Sequence, residues 1–241
     1  MIIFPMAGKS SRFFKAGYSK PKYMLKAHGE YLFDHAVKSF KKYFSRELFM
    51  FLAREGCDAS KFIEERAAVL GIKEFTIVLL EHETRGQAET VALGLEEYNS
   101  EAPITIFNID TIRRDFTYPL LKDNVDGYLE VFRGSGDNWS FVLPFSDGDS
   151  RVKQTAEKKP ISNLCSTGLY YFSSSNEYLE VFNLYKQLPI SDWVNGEIYV
   201  APLYNLLIEQ GSKIHFHEIS SDEVIFCGVP EEYEQFLNRN F

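Results

Sequence analysis

Ile2-Ile3-Phe4-Pro5-Met6-Ala7-Gly8-Lys9-Ser10-Ser11-Arg12-Phe13, with Lys20-Pro21-Lys22 a few residues on, sets the reading of the whole chain. Residues 2 to 5 form a short apolar run of the kind that makes a buried strand, so the backbone leaves a sheet directly into a loop of small residues. Small residues let backbone N–H groups come close to an anion, and Arg12 adds a planar fork of donors suited to phosphate oxygens. The stretch reads as a socket for a nucleoside triphosphate.

Charge supports that placement. Residues 1 to 30 carry six Lys and Arg against the single acid Glu30, whereas the whole chain of 241 residues has a net charge of −8. A cationic island in an acidic protein needs a local explanation, and the acidic remainder argues against general binding to nucleic acid. Hydrophobic residues make up 45% and charged residues 25%, ordinary for a globular protein, while 21 Phe and 14 Tyr supply core rings and leave room for a homo-oligomeric interface. Three scattered cysteines, Cys57, Cys165 and Cys227, give neither a disulfide framework nor zinc spacing and are expected as buried thiols in a reducing compartment. No secretory signal and no membrane-length apolar run is evident, so a cytoplasmic protein with no membrane partner is expected.

Working outward from the first strand, apolar runs alternate with amphipathic ones. Strands are expected at 1–5, 47–52, 75–80 and 103–107, with helices near 33–44, 58–70 and 86–98 between them, the pattern of a parallel sheet covered on both faces. The second half reads as strands near 126–133, 139–144, 150–157 and 166–172, helices near 175–187 and 196–210, a strand at 213–218 and a helix near 230–238. Arg133-Gly134-Ser135-Gly136-Asp137-Asn138 predicts a hairpin turn. No repeat or linker interrupts the chain, so a single domain over 1–241 is expected, with a nucleotide-binding half at about 1–115 and an acceptor-binding half at about 116–241.

Four further segments carry chemistry. Thr84-Arg85-Gly86-Gln87-Ala88 stands before a helix, where Gly86 would permit close backbone approach and Gln87 could bond a base edge without choosing between bases. Asn108-Ile109-Asp110 ends an apolar strand, and a carboxylate there could bind magnesium beside triphosphate oxygens. Glu157-Lys158 is followed by Ser162-Asn163 and Gly168-Leu169-Tyr170-Tyr171-Phe172, and farther on comes Gly196-Glu197-Ile198-Tyr199. His215 and His217 share one side of a strand but have no evident third partner for a metal.

Taken together, these segments resemble the nucleoside diphosphate-sugar pyrophosphorylases, a nucleotidyltransferase family, over nearly the whole chain. The resemblance implies a Rossmann-like three-layer α/β/α fold, related to the GT-A architecture, with a mixed, mostly parallel central sheet. It implies that Ala7, Gly8, Ser10 and Ser11 line the triphosphate, that Arg12 holds the leaving phosphates and that Lys22 sits at the α-phosphate. Gly86, Gln87 and Asn108 would serve the nucleoside, and Asp110 would hold Mg2+. Lys158 would neutralise the phosphate of a sugar 1-phosphate or other small phosphorylated acceptor, with Glu157, Asn163, Gly168 and Glu197 around it. The implied activity is nucleotidyl transfer with release of pyrophosphate, for nucleotide sugars of surface polysaccharide. The chain departs from the family at Phe226, two residues before Gly228, where an aspartate commonly gives a second magnesium ligand; either Asp222 or Glu223 takes its place, or the metal leans on phosphates and water, or the activity is lost. Two rivals remain: a glycosyltransferase of related architecture, which leaves the cationic loop unexplained, and a catalytically silent nucleotide or sugar sensor, motivated by Phe226.

Overall fold

The computed structural model describes residues 1–98 and 101–239. In chain order its first elements are β1 (Ile2–Pro5), α1 (Ser11–Lys15), β2 (Lys26–Ala27), β3 (Glu30–Tyr31), α2 (Leu32–Lys38), β4 (Leu48–Arg54), α3 (Ala59–Leu70), β5 (Glu74–Leu80), α4 (Gln87–Tyr98) and β6 (Ile104–Phe107). There follow β7 (Thr111–Arg113), β8 (Gly127–Arg133), β9 (Ser140–Pro144), β10 (Val152–Glu157), β11 (Leu164–Phe172), α5 (Ser175–Lys186), α6 (Leu203–Glu209), β12 (Ile214–Ile219), β13 (Val224–Phe226) and α7 (Pro230–Leu237). The backbone divides into two compact units that cut across the expected halves. One holds residues 2–83, 107–117 and 222–241, the other residues 1, 84–106 and 118–221.

In the first unit β1, β4 and β5 run parallel, with Ile2 opposite Phe49 and Leu48 opposite Glu74. Ile2, Ile3 and Phe4 are fully buried, as a parallel strand covered on both faces requires. Phe4 stacks on Phe51 at 5.5 Å and meets Phe40 and Phe107 edge-on, so aromatic packing ties the first strand to its neighbours. α3 stops at Gly71, whose left-handed φ of 78° lets its N–H close on the Ala67 carbonyl. The helix expected over 33–44 ends at Lys38, and a 3-10 turn at Lys41–Tyr43 follows it. β7 and β13, too short to register as strands in the sequence, pair antiparallel with Thr111 opposite Phe226. Beneath α1, Phe13 meets Tyr18 at 5.5 Å and Tyr233 of α7 at 6.1 Å, and the Tyr233 hydroxyl donates to the Lys26 carbonyl at 2.7 Å. Cys165 and Cys227 are buried, but Cys57, expected with them inside, is exposed because it lies in the left-handed turn between β4 and α3.

In the second unit β11 is buried along all nine residues. It pairs antiparallel with β8 through Leu164 and Arg133, and antiparallel with β9 through Cys165 and Phe141. Two strands both antiparallel to a third run parallel to each other, so the hairpin expected at residues 133–138 does not form. That stretch instead crosses over the start of β11, where the Gly134 N–H donates to the Asn163 carbonyl at 3.0 Å. β12 lies parallel to β8 and β10 antiparallel to β9. α5 is capped by Ser174, whose hydroxyl accepts from the N–H groups of Asn176 and Glu177. The helix expected over 196–210 begins only at Leu203, because Asn195 and Gly196 take left-handed φ values of 54° and 71° and Pro202 stands at the N-cap. With parallel and antiparallel pairings both present and helices packed on the strands, the fold is α/β with a mixed sheet. Among the described residues no helix is long and apolar enough to cross a membrane.

Candidate active site

The cationic stretch is folded back on itself in the first unit. Ser10 takes a left-handed φ of 52° at the start of α1, and its hydroxyl accepts the Lys22 N–H at 3.1 Å. This bond brings Lys22 under the loop, where its ammonium pairs with Asp110 Oδ2 at 2.5 Å. Both side chains are largely buried, 23% and 17% exposed, so the pair is screened less than a surface ion pair. Asn108 and Asp110 flank the turn that leaves β6, in which the Thr111 N–H donates to the Asn108 carbonyl. Ala7 is half-buried, Ser11 is exposed at the first position of α1, and Arg12 is exposed with no ion pair among the described residues. Lys9 bends away to Glu83 at 2.7 Å, and Arg54 lies 3.8 Å from the same carboxylate, which lowers the Glu83 pKa.

Gly8 is exposed, and a Cβ built there would meet nothing within 4 Å. Gly8→Ala is therefore expected to leave stability within about 0.5 kcal/mol of the parent. If the open space is reserved for phosphate, the same change raises the KM for a triphosphate several-fold. Thermal unfolding and initial-rate kinetics together check this, and a KM equal to the parent's would remove Gly8 from the site.

The second carboxylate near Asp110 comes from an unexpected place. A Cβ on Gly228 would lie 3.1 Å from Asp110 Oδ2 and 3.5 Å from Glu232 Oε2, so both acids approach one point. Glu232, near the start of α7, accepts the N–H groups of Gly228 at 2.8 Å and Val229 at 3.3 Å. The Cys227 thiol is pushed up to about 12, chiefly by burial and further by Asp110 and Glu232, so it stays protonated. Glu223, expected as a substitute ligand, is instead paired with Arg113 at 3.0 Å. Among the described residues no three His, Cys, Asp or Glu side chains converge as a ready-made metal cage. Magnesium commonly rests on one or two carboxylates plus substrate phosphates, and Asp110, a largely buried carboxylate beside a displaceable lysine, fits an ion held in that way.

The second unit gathers the acceptor candidates. Glu157 is 7% exposed and accepts a hydrogen bond from the Ser140 hydroxyl, which lies 3.2 Å from the Tyr170 hydroxyl. Burial raises the Glu157 pKa and Glu197 adds to the rise, while Ser140 and Lys158 oppose it. Lys158 is half-buried at a left-handed φ of 53°, its N–H donating to the Trp139 carbonyl at 2.8 Å and its ammonium donating to the Tyr199 hydroxyl. The next residue, Lys159, is exposed. Asn163 is exposed, accepts from Arg133 at 3.3 Å, and borders an open cavity of about 600 Å³ along with Gly134, Ser135 and Ser162. Gly168 is buried in β11 at φ 87°, within the irregularity between Ser166 and Tyr170, where its N–H donates to the Ser166 hydroxyl. His215 is bonded to Ser150 at 2.8 Å.

Gly86 has a reason of its own for being glycine. Its φ is +131°, and a Cβ there would stand 2.5 Å from the Ile198 carbonyl oxygen and 2.8 Å from the Ile198 nitrogen. The close approach expected of a nucleotide is thus made by the protein's own backbone, locked by the Ile198 N–H on the Arg85 carbonyl at 2.6 Å and the Ala88 N–H on the Ile198 carbonyl at 3.0 Å. Gln87, the first residue of α4, is half-buried beside it.

No protein-family model matches the chain, and no curated protein does. Solved structures do. The nucleoside-diphosphate-sugar pyrophosphorylase from Vibrio cholerae RC9 is 55% identical, with 99% of this chain and 100% of that chain covered and a TM-score of 0.97. A UDP-glucose pyrophosphorylase complexed with UDP-glucose matches at 15% identity and a TM-score of 0.76, covering 98% of this chain and 96% of that one. The inositol-1-phosphate CTP transferase from T. maritima matches at 17% identity and a TM-score of 0.75, covering 98% and 94%. The last two likenesses speak for the fold alone. The first, at high identity over both full lengths, shows that the chain belongs to the nucleoside-diphosphate-sugar pyrophosphorylase family.

Proposed function

We propose that the protein transfers a nucleoside monophosphate from a nucleoside triphosphate to a small phosphorylated acceptor, by default a sugar 1-phosphate, and releases pyrophosphate. An oxygen of the acceptor phosphate attacks the α-phosphorus in line, and the bond to the bridging oxygen of the β-phosphate breaks. The observation that carries this reading is the Lys22–Asp110 pair beneath the Ser10 loop. A half-buried cation and carboxylate that neutralise each other at rest suit a site whose substrate brings both phosphate and a metal. Lys22 turns to the α-phosphate, Arg12 takes the leaving β- and γ-phosphates, and Ala7, Gly8, Ser10 and Ser11 line their path. Asp110 would hold Mg2+, which when bound supplies positive charge against the phosphate oxygens. In the second unit we assign Gly86 and Gln87 to the nucleoside and Lys158 to the acceptor phosphate; in the first, Asn108 is assigned to the nucleotide. Glu157, Asn163, Gly168 and Glu197 shape the acceptor's surroundings. Little covalent work falls to the protein; its part is positioning two anions and screening their charge.

The product suits a pathway that consumes activated sugars, for which we favour surface polysaccharide made from cytoplasmic precursors. A glycosyltransferase would have no use for a cationic loop built against a triphosphate tail. The test is pyrophosphate release with magnesium, each common triphosphate and a panel of sugar and non-sugar phosphates. Release with one pairing, abolished by chelation, is the expected result. Triphosphate binding without release across the panel would instead favour the silent sensor that Phe226 suggests.

A further inference from the structure

Lys158 and Lys22 are held in opposite ways. Lys22 is neutralised by a carboxylate, whereas Lys158 makes no ion pair among the described residues. Its neighbour Glu157 is instead engaged by the Ser140 hydroxyl. The partner of the Lys158 ammonium is a neutral phenol: the nitrogen donates to the Tyr199 hydroxyl and stands 4.5 Å from the centre of the Tyr199 ring. The neutral hydroxyl holds the cation without cancelling its charge and uses one of the three N–H directions. Both ends of the lysine are then fixed, the backbone by its left-handed φ and the Trp139 carbonyl, the tip by Tyr199. Tyr199 is itself anchored, since Ile198 is bonded on both sides to the start of α4 and the Asn195–Gly196 turn delivers the chain to it.

We propose that Tyr199 is the positioning residue for Lys158, holding its ammonium in place for an anionic phosphate acceptor without tying it up in an ion pair. The inference rests on the acceptor role given to Lys158 above. A lysine has a flexible four-carbon stem, so without the phenol its ammonium samples many positions and meets the acceptor phosphate less often. The nucleotide, in contrast, gains nothing from Tyr199.

The test combines kinetics with a spectroscopic readout that does not depend on turnover. In protein labelled with 13C at the lysine ε-carbon, the Lys158 ε-methylene signal, identified by its loss in Lys158→Met, is expected apart from the other lysines because the Tyr199 hydroxyl fixes it. It should move toward the common position in Tyr199→Phe, reach it in Tyr199→Leu, and move in the parent when inorganic phosphate is added. With the acceptor that supports pyrophosphate release, Tyr199→Phe is expected to raise the acceptor KM about three- to tenfold and Tyr199→Leu about ten- to thirtyfold, with the triphosphate KM within about twofold of the parent. Added to Lys158→Met, neither change should cost more, because the lysine they position is gone. Equal losses with and without Lys158, a triphosphate KM that rises as much as the acceptor's, or an unshifted ε-methylene signal would each overturn the proposal while pyrophosphate release continued to support the enzyme. A shifted signal that responds to phosphate in a protein releasing no pyrophosphate would sink the proposed activity and leave Tyr199 in its role.

Discussion

Lys22→Met is expected to lower kcat/KM by about a hundredfold or more, measured by pyrophosphate release under otherwise optimal conditions. A charge-assisted hydrogen bond to phosphate contributes roughly 1.5–3 kcal/mol, and a preorganised group acting on developing charge is worth up to about a thousandfold in rate. Lys22 is positioned by the bond of its backbone N–H to Ser10, which the variant keeps, so the substitution removes the charge and leaves the loop tied. The change leaves Asp110 unpaired near Glu232, and some stability will be lost as well. Comparing rates at a temperature well below the variant's Tm separates the two effects. A folded Lys22→Met protein within threefold of the parent's kcat/KM would dismiss the phosphate role of this lysine.

Gly86→Ala is the second large effect, and it falls on stability. The new methyl group would stand 2.5 Å from the Ile198 carbonyl oxygen, inside any tolerable contact, and alanine is strained at φ +131°. Neither backbone can give way cheaply, because hydrogen bonds on both sides of Ile198 hold the two segments together. A loss of about 3 kcal/mol is expected, which for a chain of this size lowers Tm by roughly 6–12 °C. The same displacement moves the segment carrying Glu197 and Tyr199, so the acceptor KM should rise in the surviving folded protein. An unchanged Tm would mean that the turn before α4 is free to relax. Set beside Gly8→Ala, the pair separates a glycine demanded by the protein's own packing from one that faces open space.

The same two glycines show what the sequence could and could not disclose. The loop around Gly8 is legible as a local pattern: an apolar strand, then small residues, then cations. The strands and helices of the parallel part emerged for the same reason, since each is one apolar run bounded by charged or turn-forming residues. Gly86 is also constrained by the backbone of Ile198 more than a hundred residues later, and that constraint leaves no local trace in the sequence. The hairpin at residues 133–138 failed similarly. Gly-Ser-Gly-Asp-Asn announces a change of direction, but whether the flanking strands pair is decided by β11 inserting between them. In the helix expected from 196, the apolar residues Ile198, Val200, Ala201 and Leu203 imitate helical spacing, while Asn195, Gly196 and Pro202 set the true start at Leu203. The carboxylate that approaches Gly228 along with Asp110 is Glu232, in the first turn of α7, several residues beyond Asp222 and Glu223.

The packing of α7 under α1 also sets an order of events during synthesis. Tyr233 reaches back 207 residues to the Lys26 carbonyl, and its ring supports Phe13 at the base of the cationic loop. At about 5–20 residues per second, a ribosome delivers that support roughly 10–40 s after the loop itself. A nascent chain thus carries the cationic loop well before the aromatic floor that packs beneath it.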